Sequence, residues 1–196
     1  MTKKRVFDFI CSIIGLIVFF PMFILISILI SLDSKGPVLF KQKRVGKNGG
    51  LFTLIKFRSM VINHQDNNTI SVQGDPRITK IGIFLRKYKL DELPELWNVV
   101  KGDMSLVGPR PDISGYADKL VGQDRNILKL RPGITGEATL KYANEEEILA
   151  KQENPKKYND EIIFPDKIKI NLEYYNHQSL WLDIKIIFAT IFRRIY

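Results

Sequence analysis

From Phe9 to Leu32 the chain reads FICSIIGLIVFFPMFILISILISL, twenty-four residues without a charge. As one straight helix they would reach about 36 Å, against a hydrocarbon core of about 30 Å. The stretch is roughly twice the usual apolar region of a signal peptide, and no small-x-small cleavage site follows, so a retained membrane segment is expected. Pro21 sits near its middle, where it removes a backbone donor and clashes with the carbonyl four residues earlier, so the helix must kink or break there. Two shapes are open: a kinked spanning helix, and a re-entrant hairpin that enters and leaves by one face. Each arm alone, Phe9 to Phe20 or Met22 to Leu32, would reach only about 17 to 18 Å, too short to cross.

Past this segment the period changes. Val38–Lys41 and Leu51–Phe57 alternate apolar and polar residues around a Lys47-Asn48-Gly49-Gly50 turn, which predicts a β-hairpin. Asn63–Gln73 is polar and Asn-rich and predicts a loop. Ile78–Leu90 places Ile81, Phe84, Leu85 and Tyr88 at helical spacing with Arg86, Lys87 and Lys89 between them, predicting an amphipathic helix. Leu93–Val100 suits a second helix, with Pro94 tolerated in its first turn. Asp103–Pro111 reads as a Gly/Pro-punctuated loop, Gly115–Lys129 as a helix candidate and Arg131–Gly136 as a turn. Asn144–Lys157 is charged and helical in character, and Ile168–Gln178 and Leu180–Ile195 also read as helices. The last carries Leu180, Trp181, Ile184, Ile187, Phe188 and Phe192 on one side, with Arg193 and Arg194 at its end. No internal repeat is apparent.

Composition narrows the class. With 196 residues and 22.7 kDa there is chain for one domain plus an anchor, and 45% apolar with 26% charged residues excludes collagen-like, low-complexity and wholly disordered chains. Cys11 is the single cysteine, and with only His64 and His177 beside it there is no zinc-binding spacing. The net charge of +9 is unevenly spread: residues 1–60 hold ten Lys/Arg against two Asp, and the remainder is almost balanced. Lys3, Lys4 and Arg5 precede the apolar segment, and Lys35, Lys41, Lys43, Arg44 and Lys47 follow it. The positive-inside tendency would keep both flanks in the cytoplasm, which only the re-entrant hairpin satisfies. A pI of 9.6 also suggests nucleic acid, but base-stacking motifs are missing and the excess charge brackets an apolar hairpin, so no nucleic-acid partner is expected.

The densest polar feature is Leu90-Asp91-Glu92-Leu93-Pro94, adjacent carboxylates at the expected start of a helix. Acidic residues in a first turn are ordinary helix capping. Proline-flanked arginines weaken that reading: Arg77 follows Asp75-Pro76, Arg110 lies between Pro109 and Pro111, Arg131 precedes Pro132-Gly133, and Arg86 is about one turn before the acidic pair. Rigidly presented arginine suits bidentate phosphate recognition. Together with the acidic pair and a magnesium ion these residues fit a phosphoryl-transfer site. No Walker A or G-x-G-x-x-G sequence is present, so the standard NTPase and dinucleotide-binding readings fail.

In order along the chain, Lys4-Arg5-x-x-Asp8, the broken apolar segment, Gly36-Pro37-Val38, Lys56-Phe57-Arg58-Ser59-Met60, Asp75-Pro76-Arg77-Ile78-Thr79, Leu90-Asp91-Glu92-Leu93-Pro94, Gly102-Asp103-Met104-Ser105-Leu106-Val107-Gly108-Pro109-Arg110-Pro111 and Arg131-Pro132-Gly133-Ile134-Thr135-Gly136 resemble the bacterial sugar transferases known as small monotopic phosphoglycosyl transferases. The resemblance implies a helix-rich α+β fold: a re-entrant membrane anchor broken at Pro21 (residues 1–35) and a small cytoplasmic catalytic domain (36–196) with a β-hairpin and interfacial amphipathic helices. It implies transfer of a sugar 1-phosphate from a UDP-sugar to undecaprenyl phosphate, releasing UMP, at the bacterial inner membrane. Asp91 would be the nucleophile and form a covalent phosphosugar intermediate. Glu92 would assist with the metal or with proton transfer, and Mg²⁺ would sit at Asp91 and Glu92. Arg86, Arg110 and Arg131 match positions near the phosphates or base, Lys56 a basic position near the membrane, and Arg58 and Arg77 complete the expected substrate-binding set. UDP-sugar, undecaprenyl phosphate and membrane lipids are the implied partners.

The chain departs from the family pattern in places. Phe20 stands where members often carry Ser before the helix-breaking proline, so a neighbour must satisfy the freed carbonyl. Gly136-Glu137-Ala138-Thr139 replaces Gly-x-Ala-Gln, and Asn171 stands at a later acidic position. Sugar identity is therefore not carried over. The competing class is a non-catalytic membrane-anchored scaffold or a lipid- or nucleotide-sugar-binding protein.

Overall fold

The computed structural model describes residues 2–61 and 74–193, without the Arg193 side chain. The loop expected at Asn63–Gln73 and the terminal Arg194 lie outside the described residues.

The apolar segment forms two helices, α1 (Lys3–Val18) and α2 (Phe20–Asp33), bent by 60° at the break. Pro21 lies in the first turn of α2, where a missing N–H removes no helical bond, so it begins the second helix instead of distorting one long one. Among the described residues no single helix is long and apolar enough to cross a membrane, while the bent pair together passes by length and composition. Ile10, Ile14, Ile17 and Val18 of α1 and Leu25, Ile28 and Leu32 of α2 are exposed.

The first turns of α1 behave differently. Asp8 is buried and accepts hydrogen bonds from Ser105 Oγ (2.7 Å) and Leu106 N (3.2 Å), and Arg5 donates to the Val99 and Val100 carbonyls. Lys4 Nζ reaches Asp183 at 2.6 Å and the Val107 carbonyl at 3.1 Å. Lys4 and Asp8 are four apart and so lie one turn above each other on a helix. The Lys4-Arg5-x-x-Asp8 block therefore docks the start of α1 onto the globular body.

Strands β1 (Leu39–Val45) and β2 (Leu51–Phe57) pair antiparallel with Val45 opposite Leu51 and Leu39 opposite Phe57, as the alternation predicts. Left-handed Asn48 and Gly49 make the turn. Phe57 ends β2 in a core with Ile26 and Ile30 of α2 and with Leu85 of α3 (Lys80–Lys87), a helix capped by Thr79 Oγ1 accepting from Gly82 N at 2.9 Å. Helix α4 (Glu95–Lys101) stops at Gly102, whose φ of 94° is the usual helix C-terminal signal.

Two expectations need correction. The loop at Asp103–Pro111 and the turn at Arg131–Gly136 contain strands β3 (Ser105–Val107) and β4 (Gly133–Thr135), which pair in parallel. Three residues are too few to show a period of two. What permits the pairing is close backbone approach: a Cβ at Gly133 would lie 2.1 Å from Gly108 N. Gly115–Lys129 holds no α-helix, only 3₁₀ turns at Ala117–Lys119 and Asp124–Lys129. The charged run gives two short helices, α6 (Glu145–Ala150) and α7 (Pro155–Tyr158), after α5 (Glu137–Lys141).

A π-turn at Asn159–Ile163 leads into α8 (Phe164–His177), and α9 (Leu180–Arg193) follows. For α9, the apolar stripe does not by itself say which side faces inward. Its inward side carries Asp183 and Ile186, whereas Trp181, Phe188 and Phe192 are exposed. Asp183 is drawn inward by Lys4 and by the Tyr174 hydroxyl, a polar demand that apolar periodicity does not reveal.

Candidate active site

The acidic pair sits on a 3₁₀ turn (Leu90–Glu92) between α3 and α4. Lys89 just before it is left-handed, with φ 55°, so α3 ends abruptly and the chain turns its next carboxylates inward. Leu90 and Leu93 pack against the α2–β2–α3 core on either side of them. Asp91 and Glu92 are 7% and 4% exposed, too deep for ordinary solvated capping residues.

Helix α4 adds a third carboxylate. Asn98 is fully buried and uses its amide as a strand would, accepting from Ile55 N at 3.1 Å and donating to the Thr53 carbonyl at 2.7 Å. That clamp fixes α4 against β2 and places Glu95, one turn earlier, beside Lys56. Lys56 Nζ lies 3.0 Å from Glu95 Oε1 and 3.2 Å from Glu92 Oε1. Arg110 donates to the same Glu92 oxygen at 2.7 Å. A cavity of about 20 Å³, room for one water, is bounded by Arg44, Leu54, Lys56, Glu95, Arg110 and Pro111.

The three carboxylates differ in electrostatics. Burial alone would raise Glu92, but Arg110, then Lys56 and Lys89, hold it well below the usual carboxylate range. Burial, with the Glu92 charge second, pushes Asp91 up. Burial also lifts Glu95 to about 7 against the pull of Lys56. Glu92 is thus committed as an anion to its cations, while Asp91 is the more basic carboxylate. Asp91 Oδ1 is buried with no hydrogen-bond partner. Buried oxygens without a partner are few in folded proteins, and each calls for an explanation.

The expected substrate-binding residues divide into two groups. Lys56 and Arg110 join the carboxylates directly, so what surrounds the Lys56 ammonium is an acidic cluster. Arg86 is close enough to Asp91 to pull its pKa down, while pairing with Glu146 and reaching Met60 Sδ at 3.6 Å. The structure does not bring the other three to the acidic pair. Arg58 is 2% exposed and donates to the Ile30, Ser34 and Lys35 carbonyls, capping the end of α2. Arg77 chelates Asp75 at 2.9 and 2.6 Å. Arg131 donates to the Gly102 carbonyl at 2.9 Å, near Arg5.

Sequence reasoning missed Glu95 and Arg44. The spacing of Glu95, four residues after Asp91 and three after Glu92, is that of an ordinary acid in the first turn of a following helix and does not mark it out. For a metal, no group of three or more Asp, Glu, His or Cys side chains stands together among the described residues in a form that could hold an ion. With Oδ1 unpartnered, the Asp91 carboxylate nevertheless has one oxygen for reaction and the other for a metal beside Glu92, which fits Mg²⁺, an ion that commonly takes one or two carboxylates and completes its shell with substrate phosphates.

A buried acidic turn with one unpaired oxygen, bounded by lysine and arginine and set beside an apolar bent helix pair, defines a site for phosphate chemistry next to an apolar surface. The chain belongs to the bacterial sugar transferase family, whose model matches residues 1–196. It is 38% identical to the undecaprenyl-phosphate glucose phosphotransferase of Komagataeibacter xylinus over 100% of this chain and 36% of that protein. It is 37% identical to the UDP-glucose:undecaprenyl-phosphate glucose-1-phosphate transferase of Escherichia coli (strain K12), over 97% of this chain and 39% of the relative. It is 38% identical to the UDP-N-acetylgalactosamine-undecaprenyl-phosphate N-acetylgalactosaminephosphotransferase of Aeromonas hydrophila, over 96% and 42%. The chain thus spans about two fifths of the length of these relatives.

Proposed function

We propose that the protein is a phosphoglycosyl transferase that moves a sugar 1-phosphate from a UDP-sugar to undecaprenyl phosphate and releases UMP, as the first membrane step of a bacterial surface glycan. The observation that carries the reading is the buried, unpartnered Asp91 Oδ1 beside the charge-compensated Glu92. A buried carboxylate with a raised pKa and a free oxygen is a competent nucleophile. Asp91 attacks the β-phosphorus; the bond from that phosphorus to the bridging oxygen breaks, and UMP leaves with the oxygen. The resulting aspartyl-phosphosugar is a mixed anhydride. An oxygen of undecaprenyl phosphate then attacks the same phosphorus and frees the carboxylate. Arg110 and Lys56 supply positive charge where the phosphates would lie. Mg²⁺ held by Asp91 and Glu92 would neutralise charge on the phosphoryl oxygens.

The same reading makes the protein a monotopic one, with a re-entrant anchor and the catalytic body on the cytoplasmic face. Support comes from the 60° bend, the exposed apolar residues of α1 and α2, and the basic flanks on both sides. Cysteine labelling of the two flanks in intact cells tests this: both should label from the cytoplasm.

The reaction is tested by incubating detergent-solubilised protein with Mg²⁺, undecaprenyl phosphate and a panel of UDP-sugars, then trapping the adduct for mass spectrometry. Phosphosugar on Asp91 and loss of UMP release in Asp91→Asn are expected. An adduct elsewhere, or UMP release retained in that variant, would overturn the assignment, and no release with any UDP-sugar would favour the scaffold reading.

A further inference from the structure

Glu95 has no part in the reaction as written, yet it is among the deepest charged groups of the protein. We propose that Glu95 is a positioning residue, which holds the Lys56 ammonium on the Glu92 side of the cluster and so leaves Asp91 Oδ1 unpaired and ready to react. This rests on the reading of Asp91 as nucleophile.

A lysine ammonium is a mobile point charge with three donors on a flexible stem, and in a desolvated pocket it moves to whichever carboxylate is least compensated. Lys56 has three within electrostatic reach: Asp91, Glu92 and Glu95. It pairs with Glu95 at 3.0 Å and Glu92 at 3.2 Å and makes no hydrogen bond to Asp91. Glu92 alone does not explain the choice, because its Oε1 already takes a 2.7 Å hydrogen bond from Arg110. Glu95 is the carboxylate that needs Lys56. It is 2% exposed, and Lys56 is the one cation at ion-pair distance from it among the described residues. Its own position is set by α4, which Asn98 clamps to the Thr53 and Ile55 backbone on the same strand that carries Lys56. Donor and acceptor are thus fixed to one rigid unit. Without an acceptor oxygen at position 95, the ammonium would turn to Asp91 and hydrogen-bond its free oxygen, making it a weaker nucleophile.

The test compares Glu95→Gln, which keeps an oxygen acceptor, with Glu95→Met and Glu95→Leu, which keep the volume and remove it. Either apolar variant suffices if one fails to fold. Turnover in UMP release is expected to fall about tenfold or more in the apolar variants, with the UDP-sugar KM within about threefold of the unmutated protein, and Glu95→Gln should stay within about threefold in both. An experimental structure of a folded apolar variant should place Lys56 Nζ at hydrogen-bond distance from Asp91. Unchanged turnover in the apolar variants, a fall confined to KM, or Lys56 remaining at Glu92 in that structure would overturn the proposal. If the unmutated protein releases no UMP, the reading of Asp91 fails, while the position of Lys56 in the variant structure still decides the role of Glu95.

Discussion

Lys56 and Arg58 stand two residues apart at the end of one strand and reach different parts of the protein. Lys56 enters the carboxylate cluster, and Arg58 gathers three carbonyls at the end of α2. Phe57 between them is 2% exposed in the core formed by α2 and α3. The site and the end of the apolar helix pair are therefore referenced to the same short run of backbone.

Replacing Arg58 tests that linkage. Arg58→Met would leave the Ile30, Ser34 and Lys35 carbonyls without this donor in a buried position. Stability is expected to drop by about 2 to 4 kcal/mol, read by chemical denaturation in detergent. Arg58→Lys should recover only part, because a single ammonium cannot reproduce the planar fork of the guanidinium.

The Lys4–Asp183 pair offers a second measurement. Asp183 is fully buried and also accepts from the Tyr174 hydroxyl. Lys4→Met strands a buried charge and is expected to cost about 3 to 5 kcal/mol. Lys4→Met combined with Asp183→Asn, which retains an acceptor for Tyr174, should be the more stable of the two variants, by comparison of denaturation midpoints.

Glu95 makes stability depend on pH with a definite sign. Its carboxyl is raised from 4.5 to about 7 in the folded protein, so the folded state holds the proton more tightly than the unfolded one. The associated stability is present below about pH 4.5 and is lost as pH rises towards 7. Glu95→Gln should flatten the fall in unfolding free energy over that window, measured by denaturant titration at several pH values. A slope identical to that of the unmutated protein would count against the burial of an ionisable Glu95.

Removal of divalent ions separates chemistry from folding. Glu92 and Glu95 already have Lys56 and Arg110 as counter-charges, so the fold does not call for a metal. EDTA is expected to abolish UMP release and leave the thermal midpoint unchanged.

Gly133→Ala probes the parallel pair. Its Cβ would meet Gly108 N at 2.1 Å and the Thr135 carbonyl oxygen at 2.6 Å, both backbone atoms that cannot swing aside. A loss of about 3 kcal/mol or more is expected from denaturation.

What could be read from the sequence follows from which signals are local. The hairpin, α3 and α4 were legible because each shows several periods, a turn or a cap. The break at Pro21 was legible because proline acts on its own backbone. Strands β3 and β4 were not, since three residues among Gly and Pro carry no period, and their pairing depends on glycines twenty-five positions apart. Which side of α9 faces inward is not legible from its apolar stripe, because Lys4 draws Asp183 inward from 179 positions away. At the site, Asp91, Glu92 and Arg110 could be singled out from adjacent carboxylates and proline-flanked arginine. Glu95 could not, because a glutamate after proline at a helix start looks like an ordinary first-turn acid until Asn98 shows which way the helix is pinned.

The shared backbone at residues 56–58 also limits how homologous sequences can vary in length. A single inserted residue there would rotate the next side chains by half a turn of the pleat, so either the ammonium or the guanidinium would lose its partners. Length changes ought therefore to collect in other segments, and alignments that open a gap within Lys-Phe-Arg should be treated as misaligned.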